Sequence, residues 1–377
     1  MIDFDNLPSP CFVMDEKLLR DNLEILQDIQ NRSGAKIILA LKAFAMYSTF
    51  PLVSQYLQGT TASSLHEARL GYEEFDGEVH AYSPAYLHNE FDELRQYCSH
   101  ISFNSISQYQ RFKSRMAGKN ISPGLRINPE YSEVATDLYN PASPGSRLGL
   151  APDLLQNGLP EGIEGLHSHT LFESDSSILE RTVEAIEEKF GHLLQQLKWL
   201  NLGGGHALTK RNYDIEKLVK LVQRLRKTYN LDVILEPGSA VAWETGYLLS
   251  TVLDIIENRG KKTALLDVSF AAHMPDCIEM PYKPRILSAR DAMPGDKNVY
   301  AMGGLTCLAG DMIGDYTFDQ PLRIGDKIVF DDMMHYTMVK TTTFNGVTHP
   351  SIGIVKEDGN FELVRKFEYG DFKRRLS

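Results

Sequence analysis

Between Ala35 and Met46 the chain reads AKIILALKAFAM, with Ile37 to Leu41 apolar without a break and a stop at Lys42. An unbroken apolar run of this length predicts a strand buried on both faces, as in a parallel sheet. Around it, helical and strand-like periods alternate. Asp15 is placed to cap a helix from Glu16 to about Arg32, with Leu18, Leu19, Leu23, Leu26 and Ile29 along one side. Further helices are expected over 52–57, 65–72, 89–97, 106–116, 177–197 and 214–229. Strands are expected over 11–14, 60–63, 79–82, 101–103, 124–127, 163–169, 199–202 and 233–235. About eight strand–helix units over ~220 residues is the size of a (β/α)8 barrel. A doubly wound sheet also alternates, but no G-x-G-x-x-G follows the first strand, which disfavours its dinucleotide-binding version.

After Gly246 the pattern changes. Runs at 248–256, 264–268, 299–302, 327–330 and 338–344 read as strands, with turns at 258–260, 294–296 and 345–346. The expected architecture is α/β: a (β/α)8 TIM barrel over 15–243, and a β-sandwich or β-barrel-like domain over 1–14 and 244–377, joined by the amino-terminal strand.

In such a barrel, active groups belong at strand carboxyl ends. Lys42 ends one strand. Burial lowers the pKa of an amine there and favours the neutral form that Schiff-base chemistry needs; the alternative is a lysine that snorkels to water. His167 and His169, in GLHSHT, share one strand face. They suit a metal, a stacked ring or a hydrogen-bonded core. Gly203, Gly204 and Gly205 bare their N–H groups to an anion or simply make a tight turn. Glu236, in LEPGS with Gly238 behind it, is a carboxylate at the last strand end or a solvated residue at a helix start. Together these describe an anion cradle, a condensing amine, a flat imidazole and a carboxylate. Pyridoxal 5'-phosphate can use all four, the carboxylate keeping the pyridine nitrogen protonated.

Composition narrows the field. The 377 residues are 42% hydrophobic and 24% charged, ordinary for a folded protein with a sizeable core. A net charge of −11 argues against nucleic-acid or anionic-membrane partners. Cys11, Cys98, Cys277 and Cys307 are far apart with no C-x-x-C, which suits a reducing cytoplasm and disfavours a structural zinc. Met1–Pro10 has no basic and apolar pair of segments, so no signal peptide is expected, and no apolar run approaches ~18 residues.

The order of these motifs resembles the fold-type III pyridoxal-phosphate decarboxylases, the alanine racemase-like family of ornithine, arginine and diaminopimelate decarboxylases. The likeness covers nearly the whole chain. It implies that Lys42 carries the cofactor covalently, that His169 stacks on its ring, and that Gly204, Gly205, Glu236 and Gly238 hold phosphate and pyridine nitrogen. SRLGL matches the segment with a basic residue near the cofactor, Arg147. GLTCLAGD resembles the segment whose cysteine, here Cys307, reaches the neighbouring subunit's site, with substrate-binding Asp311 after it. HYTMVKTTTFNG matches the phosphate-contacting tyrosine segment, with Tyr336. Two departures stand out: Ser239 replaces the arginine of E-P-G-R, and GTTASSLHEA lacks the acid that ornithine decarboxylases place after the second strand. HMPDCIEMPYKP and CLAGD resemble the carboxynorspermidine decarboxylase branch, which acts on carboxylated polyamines; there Asp276 partners a substrate amine, or is an exposed turn residue.

The resemblance therefore implies decarboxylation of carboxynorspermidine or carboxyspermidine in polyamine biosynthesis. Cys307 of one subunit of a homodimer would protonate the product carbon in a composite site, unless it is a buried filler. Diaminopimelate decarboxylase is the alternative within the family. A metal-dependent hydrolase using His167, His169 and His206, and a non-catalytic cofactor carrier, are the alternatives outside it; no metal is expected.

Overall fold

The computed structural model describes residues 2–134, 137–143 and 145–377. The chain divides into two compact units, Arg20–Val241 and Met1–Leu19 with Ala242–Ser377. In chain order the first strands are β1 (Cys11–Asp15), β2 (Lys36–Ile37), β3 (Leu39–Ala40), β4 (Gly59–Ala62), β5 (Glu78–Tyr82), β6 (His100–Phe103), β7 (Ser122–Arg126), β8 (Gly165–His167), β9 (Trp199–Asn201) and β10 (Asp232–Leu235).

All of these but β1 form one parallel sheet in the order β2-β10-β9-β8-β7-β6-β5-β4-β3. The expected single strand over 37–41 is thus two short ladders parted at Ile38. The reason is closure. Ile38 N–H donates to Leu235 O (3.0 Å), whereas Leu41 N–H donates to Thr61 O (3.1 Å). One apolar segment hands its hydrogen bonds from the last strand to the second, and eight strand positions close into a TIM barrel. The loop-to-helix junctions are set by short polar side chains. Ser64 Oγ accepts Glu67 N–H (3.2 Å) at Leu65–Glu74, Ser105 Oγ accepts Gln108 N–H (3.1 Å) at Ile106–Phe112, and Asp214 Oδ1 accepts Lys217 N–H (3.0 Å) at Ile215–Tyr229. The helix expected over 52–57 is instead a short turn, Phe50–Val53, because Pro51 sets its start.

At the amino ends of the strands Trp199 fills the barrel. Its Nε1–H donates to Ser122 Oγ (2.8 Å), and a Cβ on Gly165 would fall 2.0 Å from its ring, so only glycine fits opposite it. Nearby, burial pushes the His100 imidazole down to about 3, and at the other end of the barrel burial pushes His206 down to about 4. Both are neutral when folded but take a proton near pH 6.5 when unfolded. The unfolded state therefore binds more protons below pH 6.5, and stability falls as pH drops from there toward the folded values. The expected loss is about 1.4 kcal/mol per pH unit for each histidine. Urea unfolding followed at pH 7.5 and 5.5 checks this, and His100→Asn should flatten the dependence.

The second unit holds β1 and eight more strands: β11 (Gly246–Asn258), β12 (Lys261–Leu266), β13 (Ala289–Asp291), β14 (Val299–Gly303), β15 (Met312–Phe318), β16 (Lys327–Asp331), β17 (Ser351–Val355) and β18 (Phe361–Arg365). Their order is β13-β15-β14-β12-β11-β1-β17-β18, with β16 on β11. The amino-terminal strand β1 lies inside this sheet, antiparallel to β11 and parallel to β17, over a core of Cys11, Val13, Leu249, Val329 and Val355. The strand expected over 338–344 is absent; the segment makes 3-10 turns at Met338–Lys340 and Phe344–Gly346. Tyr336 has φ 48°, which turns the chain out of an extended path, and Thr342 N–H donates to Ala272 O (2.7 Å) rather than to a strand. Strands β15, β17 and β18 lack a clean alternation because Gly314, Asp315, Gly353 and the charges of FELVR interrupt it. Among the described residues no helix is long and apolar enough to cross a membrane.

Candidate active site

Lys42 lies in the turn just after β3. Gly238 makes that turn possible, since a Cβ there would meet Ala43 Cβ at 2.5 Å. Lys42 keeps solvent-accessible surface, yet protein surrounds it closely. Desolvation and then the Arg126 guanidinium lower its pKa, against the pull of Glu236 and Glu67.

His169 sits two residues beyond the end of β8, so the strand expected to reach it stops short. Its Nε2 is 3.1 Å from Lys42 Nζ, and its Nδ1 accepts Gly204 N–H (2.7 Å). The glycine loop is built for this closeness. Gly203 has φ +70° and an added Cβ would come 2.6 Å from His169 Nδ1; on Gly204 it would come 2.3 Å from Glu236 O. Gly203 and Gly204 therefore do more than turn the chain: they let His169 and the Glu236 segment approach the loop.

Glu236 follows β10 and is 7% exposed. Burial alone would raise its pKa, but the neighbouring His167, first by charge and then by hydrogen bonding, and after it Asn201 pull it down to about 2. Asn201 Nδ2 donates to Oε1 (2.7 Å), and His167 Nε2 stands 3.5 Å from Oε2. Burial lowers the pKa of His167, against the pull of Glu236. Asn201 Oδ1 also accepts Gly203 N–H (2.8 Å), tying the carboxylate's brace to the glycine loop.

Arg126 escapes the sequence reading. It ends β7, is 4% exposed, donates to His169 O (2.9 Å) and lies 4.5 Å from the Tyr82 ring centroid. Its signal was the one charged residue in the apolar strand GLRI. Arg147 is exposed, and its carbonyl accepts from Asn104 Nδ2 (2.8 Å). Asn104 also accepts from Tyr82 Oη (2.8 Å) and Gly149 N–H (2.7 Å), pinning that loop.

The barrel unit thus gathers Lys42, His169, Gly204 and Glu236, with Gly205 and Gly238 in the same turns. His167, His169 and His206 do not converge on a metal position. Among the described residues the cluster with suitable atoms, all within 4.8 Å, is Glu78, His80 and His100. Lys36 Nζ already occupies Glu78 at 2.7 Å, and the two imidazoles stack at 3.9 Å, which aims their lone pairs side by side rather than at one point.

In the other unit Cys307 is exposed while Cys11, Cys98 and Cys277 are buried, so it is no core filler. Its N–H donates to Asn345 Oδ1 (2.8 Å). Asp311 is 2% exposed and turned inward: it accepts from Ala271 N–H (3.0 Å), Thr306 N–H (3.0 Å) and Thr306 Oγ1 (2.6 Å). It braces the loop that carries Cys307. Asp276 is not a free turn residue. Its Oδ2 accepts from Tyr282 Oη (2.7 Å) and Thr337 Oγ1 (2.8 Å), while its Oδ1 is buried without a partner. Tyr336, next to Thr337, holds its left-handed backbone beside His335, whose ring is stacked 5.5 Å from Trp243.

Residues 11–334 match the family model described as pyridoxal-dependent decarboxylase, C-terminal sheet domain. The chain belongs to the pyridoxal-dependent decarboxylases. It is 52% identical over 372 residues to a carboxyaminopropylagmatine decarboxylase of Synechocystis sp., spanning 98% of this chain and 96% of that one. It is 42% identical to a carboxynorspermidine/carboxyspermidine decarboxylase of Campylobacter jejuni, spanning 99% of each. The crystal structure of a Campylobacter jejuni carboxynorspermidine decarboxylase with norspermidine superposes with TM-score 0.91 at 42% identity, over 98% of this chain and 100% of that one. A Helicobacter pylori diaminopimelate decarboxylase shares the fold, with TM-score 0.84 at 16% identity over 99% and 98% of the two chains. This decarboxylase is a pyridoxal-phosphate enzyme, and the barrel residues fit that cofactor: a neutral-prone amine, glycine turns without Cβ atoms, and a buried carboxylate held ionised.

Proposed function

We propose that this enzyme decarboxylates a carboxylated polyamine, carboxynorspermidine or carboxyspermidine, in polyamine biosynthesis, as a cytoplasmic homodimer with composite sites. The observation that carries the reading is full-length similarity at 42% to a carboxynorspermidine/carboxyspermidine decarboxylase, together with the convergence of Lys42, His169 and Glu236. Residues 15–243 serve as the cofactor barrel, and 1–14 with 244–377 as the β domain.

Bound pyridoxal phosphate supplies an aldehyde for an amine and a ring that accepts the electron pair left when carbon dioxide departs. Lys42 would hold it, His169 would stack on its ring, and Gly204, Gly205, Gly238, Arg147 and Tyr336 would serve its phosphate. Glu236, ionised and braced by Asn201, keeps a proton on the ring nitrogen. Arg126 lowers the proton affinity of Lys42. The partnerless Oδ1 of Asp276 is the acceptor for a distal substrate cation. Cys307 Sγ–H would deliver the proton to the carbon that lost carbon dioxide, and Asp311, assigned to substrate binding, also sets that cysteine's loop through Ala271 and Thr306.

A second reading has its own support: the 52% identity to a carboxyaminopropylagmatine decarboxylase favours a substrate ending in guanidinium rather than ammonium. Carbon dioxide release from carboxynorspermidine, carboxyspermidine, carboxyaminopropylagmatine, diaminopimelate, ornithine and arginine separates the two. Turnover of diaminopimelate alone would remove both.

A further inference from the structure

The hydrogen bonds around His169 fix where its proton lies, and that has a consequence for Lys42. Gly204 N–H can only donate, and at 2.7 Å it donates to His169 Nδ1. An imidazolium would put a second N–H against it, so His169 is neutral and its one proton is on Nε2. That Nε2–H faces Lys42 Nζ at 3.1 Å. An ammonium has three donors and no acceptor, so it cannot receive this hydrogen bond; a neutral amine can, through its lone pair.

We propose that His169 is a two-ended positioning residue: Gly204 N–H locks its tautomer, and its Nε2–H holds Lys42 as a neutral amine ready to receive the cofactor. This rests on the reading of Lys42 as the residue that bears pyridoxal phosphate. Condensation needs that lone pair. Nζ forms a C=N bond to the aldehyde carbon, gives up both its hydrogens, and one water leaves with the aldehyde oxygen. The surroundings are mixed, so the hydrogen bond decides. Arg126 opposes an ammonium, Glu236 and Glu67 favour it, and burial lowers the pKa of both His167 and His206. The seat itself is rigid. Arg126 Nη2 holds the His169 carbonyl at 2.9 Å, and a Cβ on Gly203 would displace the ring.

The test strips cofactor from the purified enzyme, returns pyridoxal phosphate across about pH 6–9, and follows the rate at which protein-bound visible absorbance grows. His169→Phe keeps a flat ring but has no N–H. Its uptake midpoint should rise by about one pH unit, making uptake about tenfold slower at the acid end. His169→Gln mimics both ends, since its amide oxygen can accept Gly204 N–H while its amide nitrogen donates to Nζ. It should keep the wild-type midpoint. A phenylalanine variant with the wild-type midpoint, or a glutamine variant shifted as far as phenylalanine, overturns the proposal. A wild-type protein that takes up no cofactor at all overturns the reading of Lys42 instead.

Discussion

Lys42→Ala is expected to lower decarboxylation by about three orders of magnitude or more and to remove the covalent link between protein and cofactor. Both losses follow from one atom. Nζ is a single amine at the carboxyl mouth of a closed barrel, where desolvation and then the Arg126 guanidinium lower its pKa, and it lies 3.1 Å from His169 Nε2. The methyl of alanine opens a void but leaves the β3 turn intact, because the turn is held by Ala43 N–H to Ala40 O (3.1 Å) and by packing on Gly238. The variant should therefore fold and fail only in chemistry. Borohydride treatment followed by mass measurement of the peptide containing residue 42 is the check: wild type should gain a pyridoxyl mass there and Lys42→Ala should not. A yellow, active variant would exclude the mechanism.

Much of the barrel was legible because its strands are buried on both faces and end abruptly in polar residues. Lys42, His169, Glu236 and the glycines all stand at such ends. What pattern could not supply was closure. The split of 37–41 at Ile38 arises from tertiary hydrogen bonds to Leu235 and Thr61, which leave no mark on a run of apolar residues. Arg126 is hidden in the pattern for a related reason: a charge inside a strand looks like an interruption until Tyr82 and the His169 carbonyl stand beside it as partners. In the β domain, the resemblance implies substrate binding for Asp311, while Asp276 is either a partner of a substrate amine or a turn residue. The structure separates them by their partners. Asp311 has both oxygens bound by its own loop and Ala271, whereas Asp276 keeps one oxygen with none.

Glu236→Gln should cut turnover by about a hundredfold to a thousandfold while leaving stability within about 1 kcal/mol. The side chains are nearly the same size, and the glutamine oxygen can still accept from Asn201 Nδ2. The new amide would face His167, which can respond by moving its proton to Nδ1 and accepting at Nε2; its Nδ1 has no other partner to lose. Charge is the one thing removed, and charge is what keeps a ring nitrogen protonated during carbon dioxide loss. Glu236→Ala differs instructively. It abandons one buried donor, Asn201 Nδ2, at a cost of about 1–3 kcal/mol, and removes the carboxylate that stands 3.5 Å from His167 Nε2. Comparing the two variants separates electrostatics from packing: turnover should fall in both, but the urea midpoint only in alanine. A glutamine variant with full turnover would show that the carboxylate's charge has no part in the reaction.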